Sequence, residues 1–147
     1  MNYLKIQQDL LKAADARDGW KHKHFNVPYF VTDDRVWVCP NGMFAIGIPK
    51  NQFYLDIEKV WGSQTPWNGQ TLFDDARNAR PAEDTSEIRI DGKIKKHRFV
   101  VSDEDVFVNH DFLKYFDESP VFEGIGPKAP IFVYEFDKLV GVILPIA

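Results

Sequence analysis

Four histidines, one cysteine and a few short charged runs are the residues of this sequence that could do chemistry. His22-x-His24 sets two imidazoles on one side of an extended segment, a spacing that some zinc sites use. No second ligand pair stands at a diagnostic spacing, and Lys21 and Lys23 repel a cation, so a solvated basic loop is the ordinary reading. Cys39 precedes Pro40 at the end of an apolar run. A nucleophilic thiol needs a base and an electropositive surrounding. No local signature supplies them and His97 and His110 are far along the chain, so Cys39 reads as a small buried hydrophobe. His110-Asp111 joins an imidazole to a carboxylate in composition only, because adjacent helical residues do not face each other. An aspartate in a first helical turn is explained by the helix dipole.

Other runs are equally plain. Gly124-x-Gly126-Pro127-Lys128 lacks the spacing of a phosphate loop and no helical pattern follows it, so it reads as a turn between strands. The acidic runs at Asp103–Asp105 and Asp117-Glu118 read as turn and helix-end residues in water. No pair of carboxylates is singled out for acid–base work. The sequence thus names no catalytic residue, no metal ligand set and no cofactor, and the expectation is a protein that acts by binding. The rival is a small metal-dependent enzyme using His22 and His24 with a nearby carboxylate.

Basic residues carry the remaining functional weight. Residues 1–24 hold Lys5, Lys12, Arg17, Lys21 and Lys23 against Asp9, Asp15 and Asp18, and residues 93–98 (KIKKHR) hold four bases and no acid. The net charge of −4 excludes a wholly basic nucleic-acid binder, but it leaves room for a basic face on an acidic body. A solvated face is the competing account of these runs.

The elements that must position these residues follow from patterning. Tyr3, Leu4, Ile6, Leu10, Leu11 and Ala14 recur at helical spacing and predict an amphipathic helix over 3–16, with Asn2 as N-cap, Lys5–Asp9 as an i,i+4 pair and Gly19 as a stop. Short β-rich runs follow at Tyr29–Val31, Val36–Val38 and Met43–Ile48, divided by Asp33-Asp34 and Asn41-Gly42. The stretch from Gln52 to Val60 fits a strand or a short helix. Residues 61–86 lack a period and predict a long loop or insertion, with Trp61 as its packed end. A hairpin with Asp91-Gly92 as its turn joins Glu87–Ile90 to Lys93–Val101. After a turn at Ser102–Asp105 and the strand Val106–Val108, Asn109 caps a short helix over 109–117. Strands at Pro120–Ile125, Pro130–Phe136 and Leu139–Leu144 complete the chain, the last two joined by Asp137-Lys138. Leu10, Leu11, Phe112 and Phe116 are the expected buried helix residues.

This order predicts a single α+β domain over 1–147, an antiparallel sheet with two helices on one face and two halves sharing one plan. No residue-level repeat accompanies that plan. The supply of apolar residues, 44% with twelve phenylalanines, suits a packed core rather than a disordered chain. One cysteine permits no intrachain disulfide, and Lys5, Gln7, Gln8 and Asp9 interrupt the first apolar positions, so no secretory segment is expected. No run of about 18 apolar residues occurs. The expectation is a cytoplasmic protein without a membrane partner.

The C-terminal stretch VFVNHDFLKYFDESPVFEGIGPKAPIFVYEFDKLVGVILPIA runs strand, short helix and three strands into Val142-Ile143-Leu144-Pro145-Ile146. In this it resembles the last domain of the bacterial DNA sliding clamp, the polymerase III beta subunit. The N-terminal helix and meander are similar to the first half of a clamp domain. The resemblance covers most of the chain outside 61–86, and it is one of layout. It implies a DNA-clamp-like fold with pseudo-twofold halves and helices that face DNA. The matching basic positions are Lys5, Lys12 and Arg17, with Lys21 and Lys23 beyond the helix, and the matching partner-peptide positions are Val142, Leu144, Pro145 and Ile146. The second helix departs from the pattern, with Lys114 beside Asp111, Asp117 and Glu118. Clamp subunits hold two or three such domains, so closing a ring with this one would take about six copies. The resemblance therefore implies a non-enzymatic module of phage or mobile-element origin, with the DNA backbone, replication proteins or a homo-oligomer as partners. The alternative is a protein-interaction module without DNA contact.

Overall fold

The computed structural model describes residues 1–16, 29–39, 43–56 and 69–146. The class is α+β, as the patterning predicts. The chain divides into two compact units, Asn2–Asn68 and Gly69–Ala147 with Met1. Among the described residues no helix is long and apolar enough to cross a membrane.

In the first unit, helix α1 (Tyr3–Ala16) has the predicted bounds. Asn2 caps it, its Oδ1 accepting from the Lys5 N–H at 3.1 Å, and Lys5 pairs with Asp9 at 3.2 Å. The buried stripe is narrower than predicted. Ile6 and Leu10 are buried, Leu11 is only half-buried, and Leu4 is exposed. Gln7 completes the stripe and is itself buried. Its Nε2 donates to the carbonyls of Tyr3 and Gln52, each at 2.9 Å, and its Oε1 accepts from the Tyr54 N–H at 2.6 Å. A buried amide is tolerated when its donors and acceptor are satisfied. This one ties α1 to the segment that follows the strands.

Strands β1 (Tyr29–Val31), β2 (Arg35–Val38) and β3 (Phe44–Pro49) form an antiparallel meander. Gly47 stands opposite Trp37, and the indole fills the space a β-carbon would take, with ring atoms from 2.6 Å. Phe30 lies parallel to the same indole at 5.7 Å. Pro49 leads into a 3-10 turn at Lys50–Gln52, and residues 57–60 of the ambiguous stretch lie outside the described residues.

The second unit corrects the predicted long loop. Residues 61–68, Trp61 included, lie outside the described residues, but helix α2 (Gln70–Ala76), strand β4 (Arg80–Pro81) and strand β5 (Glu83–Asp91) occupy most of 69–86. The stretch from Glu83 carries no apolar alternation because β5 is an edge strand. Among the described residues it pairs only with β6 (Ile94–Val101), which in turn pairs with β7 (Glu104–Asn109). Backbone pairing holds it, and its side chains stay largely in water. A second correction follows: this unit holds a separate three-stranded sheet as well as the strands β4, β8 (Val121–Gly124), β9 (Ile131–Glu135) and β10 (Lys138–Ile143).

Turn positions move slightly from expectation. The β5–β6 turn is Gly92-Lys93, the β6–β7 turn is Ser102-Asp103 and the β9–β10 turn is Phe136-Asp137. Ser102 (φ 49°), Asp103 (φ 66°), Phe136 (φ 52°) and Asp137 (φ 63°) are left-handed, as two-residue hairpins matched to strand twist require. Phe136 is a poor residue for that conformation, so strand register rather than turn preference places it there.

The predicted helix over 109–117 is a 3-10 helix, His110–Tyr115. Asn109 caps it as expected, accepting from the Asp111 N–H at 3.0 Å. Tyr115 lies in the core and Phe112 is half-buried. Phe116 is buried as predicted, but from the extended residue that ends the helix. Its ring fills the space beside Gly141, where a β-carbon would overlap it.

Replacing Gln7 by the similarly sized Met leaves the Gln52 carbonyl and the Tyr54 N–H without their partner. The expected loss of stability is about 1–3 kcal/mol in urea denaturation, because an orphaned buried polar group forfeits its solvation. A variant as stable as the parent would show that this amide does not hold α1 in place.

Candidate functional site

The sequence-derived DNA positions lie on or after α1. Lys5 is engaged with Asp9, and Lys12 is exposed with no ion pair among the described residues. Arg17, Lys21, Lys23, His22 and His24 lie outside the described residues. Of the tail positions, Val142 is buried in β10, Leu144 is exposed, and Pro145 and Ile146 are half-buried. The Ile146 N–H donates to the Phe107 carbonyl at 2.8 Å, which ties the tail to β7. Cys39 is half-buried rather than buried.

Two of the four bases in the run 93–98 are paired with carboxylates. Lys96 meets Asp91 at 2.9 Å, and Arg98 bonds Asp105 at 2.8 Å and Glu87 at 3.1 Å. The hydrogen bond from Arg89, with the charges of Arg89 and Arg98, holds the Glu87 carboxyl below its ordinary range. The Asp105 bond raises Arg98 further. Lys93 and Lys95 remain exposed with no ion pair among the described residues.

A constellation absent from the sequence reading lies in the second unit. His97 of β6 is buried on the same face as Phe99 and Val101. Its Nε2 meets Asp84 Oδ1 at 2.5 Å, and its Nδ1 meets His110 Nδ1 at 3.0 Å. Asp84 reaches it because β5 is irregular between Asp84 and Ile88, where Ser86 is left-handed (φ 58°) and donates its N–H to Asp84 Oδ1 at 2.8 Å. His110 reaches it because the β6–β7 register sets His97 opposite Val108, and the chain then turns into the 3-10 helix two residues later. That diagonal neighbour follows from the Ser102-Asp103 turn, the one sequence signal from which the pair was recoverable.

The ring geometry defines the chemistry. The two imidazole planes are 4° apart and their centroids 5.3 Å apart, close to the largest separation possible for nitrogens 3.0 Å apart. The rings therefore meet edge to edge, with an N–H on one aimed along the lone pair of the other. A shared metal ion would need the lone pairs to converge at an angle instead. Among the described residues no group of three or more potential ligands is arranged to hold a metal ion. With Asp84 ionised and His97 neutral, the His97 proton sits on Nε2, its Nδ1 accepts from His110 Nδ1–H, and His110 Nε2 is left as a basic end. The result is a one-dimensional proton path, Asp84–His97–His110.

All three residues line a cleft of about 560 Å³, open to solvent. Its other walls are apolar: Ala82, Leu113, Phe116, Pro120, Val121 and Phe122. No hydroxyl or thiol nucleophile stands among them. The path can take up or release a proton at an apolar surface, and the cleft contributes nothing further toward covalent catalysis.

No family model, no curated protein and no solved structure matches the chain.

The tautomer assignment is testable by long-range proton–nitrogen correlation spectra of the imidazoles at pH 8. His97 is expected as the Nε2–H form and His110 as the Nδ1–H form. His110 in the Nε2–H form would remove the basic end of the path.

Proposed function

We propose that the chain is a non-enzymatic binding module of DNA-clamp-like plan that associates with the DNA backbone. The observation that supports this reading is the order of elements in the two units. The first runs from α1 into the β1-β2-β3 meander, and the second from the 3-10 helix into the β8-β9-β10 meander. In each unit a helical segment leads into three sequential antiparallel strands, which is the plan the sequence resemblance implies; the second unit adds α2, β4 and the three-stranded sheet to it.

Contact with DNA in this reading is weak and without sequence preference. Phosphates are neutralised by cations free to leave water, and each such contact adds about 0.7–0.9 to the slope of log affinity on log salt. Lys12 is available, Lys5 has to exchange Asp9 for a phosphate, and Arg17, Lys21 and Lys23 extend the same basic stretch. A homo-oligomer aligning several copies of α1 strengthens retention through effective concentration.

The protein-interaction reading has its own support in the β5–β6 hairpin. Ile90 is 76% exposed there, and Ile88 and Ile94 are also exposed. Apolar side chains on an edge strand favour pairing with a second chain.

A DNA-retention titration over salt separates the two. The parent is expected to bind at low salt and to lose affinity steeply as salt rises, and the triple change Lys5→Glu, Lys12→Glu, Arg17→Glu to abolish retention. An unchanged titration, or no retention by the parent at any salt, removes the DNA reading. In that case concentration-dependent association lost on Ile90→Lys, measured by sedimentation, would carry the interaction reading.

A further inference from the structure

We propose that the cleft beside the β6–β7 hairpin is a binding site for a small amphipathic carboxylate, an acid head on an apolar chain, and that its binding takes up one proton at His110. The inference is independent of the clamp-like plan, since it uses only side chains of the second unit.

The walls select the body of the ligand. Leu113 and Phe116, Pro120 and Val121, and Phe122 are apolar, and Val121 is 62% exposed. The volume of about 560 Å³ falls among those of small-molecule sites. An apolar chain laid there removes this surface from water.

The polar end selects the head. The titratable groups among the walls are His110 itself, His97 of β6 and Asp84 of β5, while β8 adds none and the 3-10 helix adds only Leu113 besides His110. Asp111 and Lys114 of that helix are exposed and are not among the wall residues. Phosphate and sulfate call for several donors or a guanidinium fork, and the cleft has no arginine, lysine or hydroxyl. One imidazolium suits one carboxylate.

The proton balance is explicit. With both imidazoles neutral, the path carries the single negative charge of Asp84 and repels an anion. One proton from water, added at His110 Nε2, makes an imidazolium that hydrogen-bonds the ligand carboxylate. The collinear N–H···N contact lets the positive charge pass to His97 beside Asp84, so the cation is compensated on the protein side as well. No covalent bond of the ligand forms or breaks. Proton uptake makes affinity fall as pH rises, by up to about tenfold per unit for one proton.

The test is calorimetric titration of the whole chain with decanoate at pH 6, 7 and 8, in buffers of different ionisation heat. The expected result is binding at pH 6 that weakens at least tenfold by pH 8, with uptake approaching one proton per ligand at the higher pH. His110→Gln is expected to lose both the proton uptake and most of the pH 6 affinity, with its circular dichroism and melting temperature retained. Val121→Asp, at an exposed wall position, is expected to weaken binding at every pH. Decanamide, with no charge to neutralise, is expected to show no pH dependence. Absence of decanoate binding at pH 6, binding without proton uptake, or an unchanged pH profile in folded His110→Gln would overturn the proposal. None of these outcomes bears on DNA retention, so failure here and failure of the clamp-like reading are distinguishable.

Discussion

The register of the β6–β7 hairpin is the constraint on which most of the second unit depends. Its two-residue turn, Ser102-Asp103, holds both residues left-handed and so sets Val101 opposite Glu104. From that pairing, Phe99, Val101, Val106 and Val108 share the buried face, and His97 lies with them. A slip of one residue would exchange this face for Lys96, Arg98 and Phe107, because side chains alternate strictly along a strand. The same register brings His110 diagonally to His97. Core and candidate site therefore rest on one turn, and altering it would disturb both.

β5 meets this hairpin with a local misfit that has a chemical result. Four residue steps from Asp84 to Ile88 oppose two from Phe99 to His97, so β5 carries two extra residues there. Polar groups fill the gap in the ladder: Thr85 Oγ1 donates to the Arg98 carbonyl at 2.7 Å and the Asp84 carboxylate takes the Ser86 N–H. The carboxylate is thereby fixed against His97 instead of turning into water. An aspartate in this position orients the imidazole and balances any proton it takes. The arrangement belongs to an edge strand, where such an irregularity costs little core packing.

Buried polar groups elsewhere follow the same rule of complete pairing. Gln7 uses both amide hydrogens and its oxygen on backbone groups, and Glu135, also buried, accepts from the Glu118 N–H at 2.9 Å. Their role is to fix the position of neighbouring segments: Gln7 meets backbone groups, and Glu135 also pairs with the amino group of Met1 at 2.8 Å. The Asp84–His97–His110 path differs from them. Its last nitrogen has no protein partner among the described residues and His110 lines a cleft, which is why it reads as a site and they read as structure.

Local signals in the sequence determined α1, its Asn2 cap and its Lys5–Asp9 pair, because capping and helical spacing act over a few residues. They also determined the strands around Val36–Val38, Ile131–Glu135 and Lys138–Ile143, where apolar runs end in turn residues, and the Asn109 cap. Only the tertiary structure decided that the strand expected at Glu87–Ile90 begins as early as Glu83, since pairing with β6 supplies what the side chains of 83–86 do not. It likewise decided that His110–Tyr115 winds as a 3-10 helix, whose end delivers Phe116 to the space at Gly141. The meeting of Asp84, His97 and His110 was hidden for the same reason. No pair of them is closer than thirteen residues, and what joins them is a hairpin register and a strand irregularity, set by burial and backbone pairing across the sheet rather than by any residue's own preference.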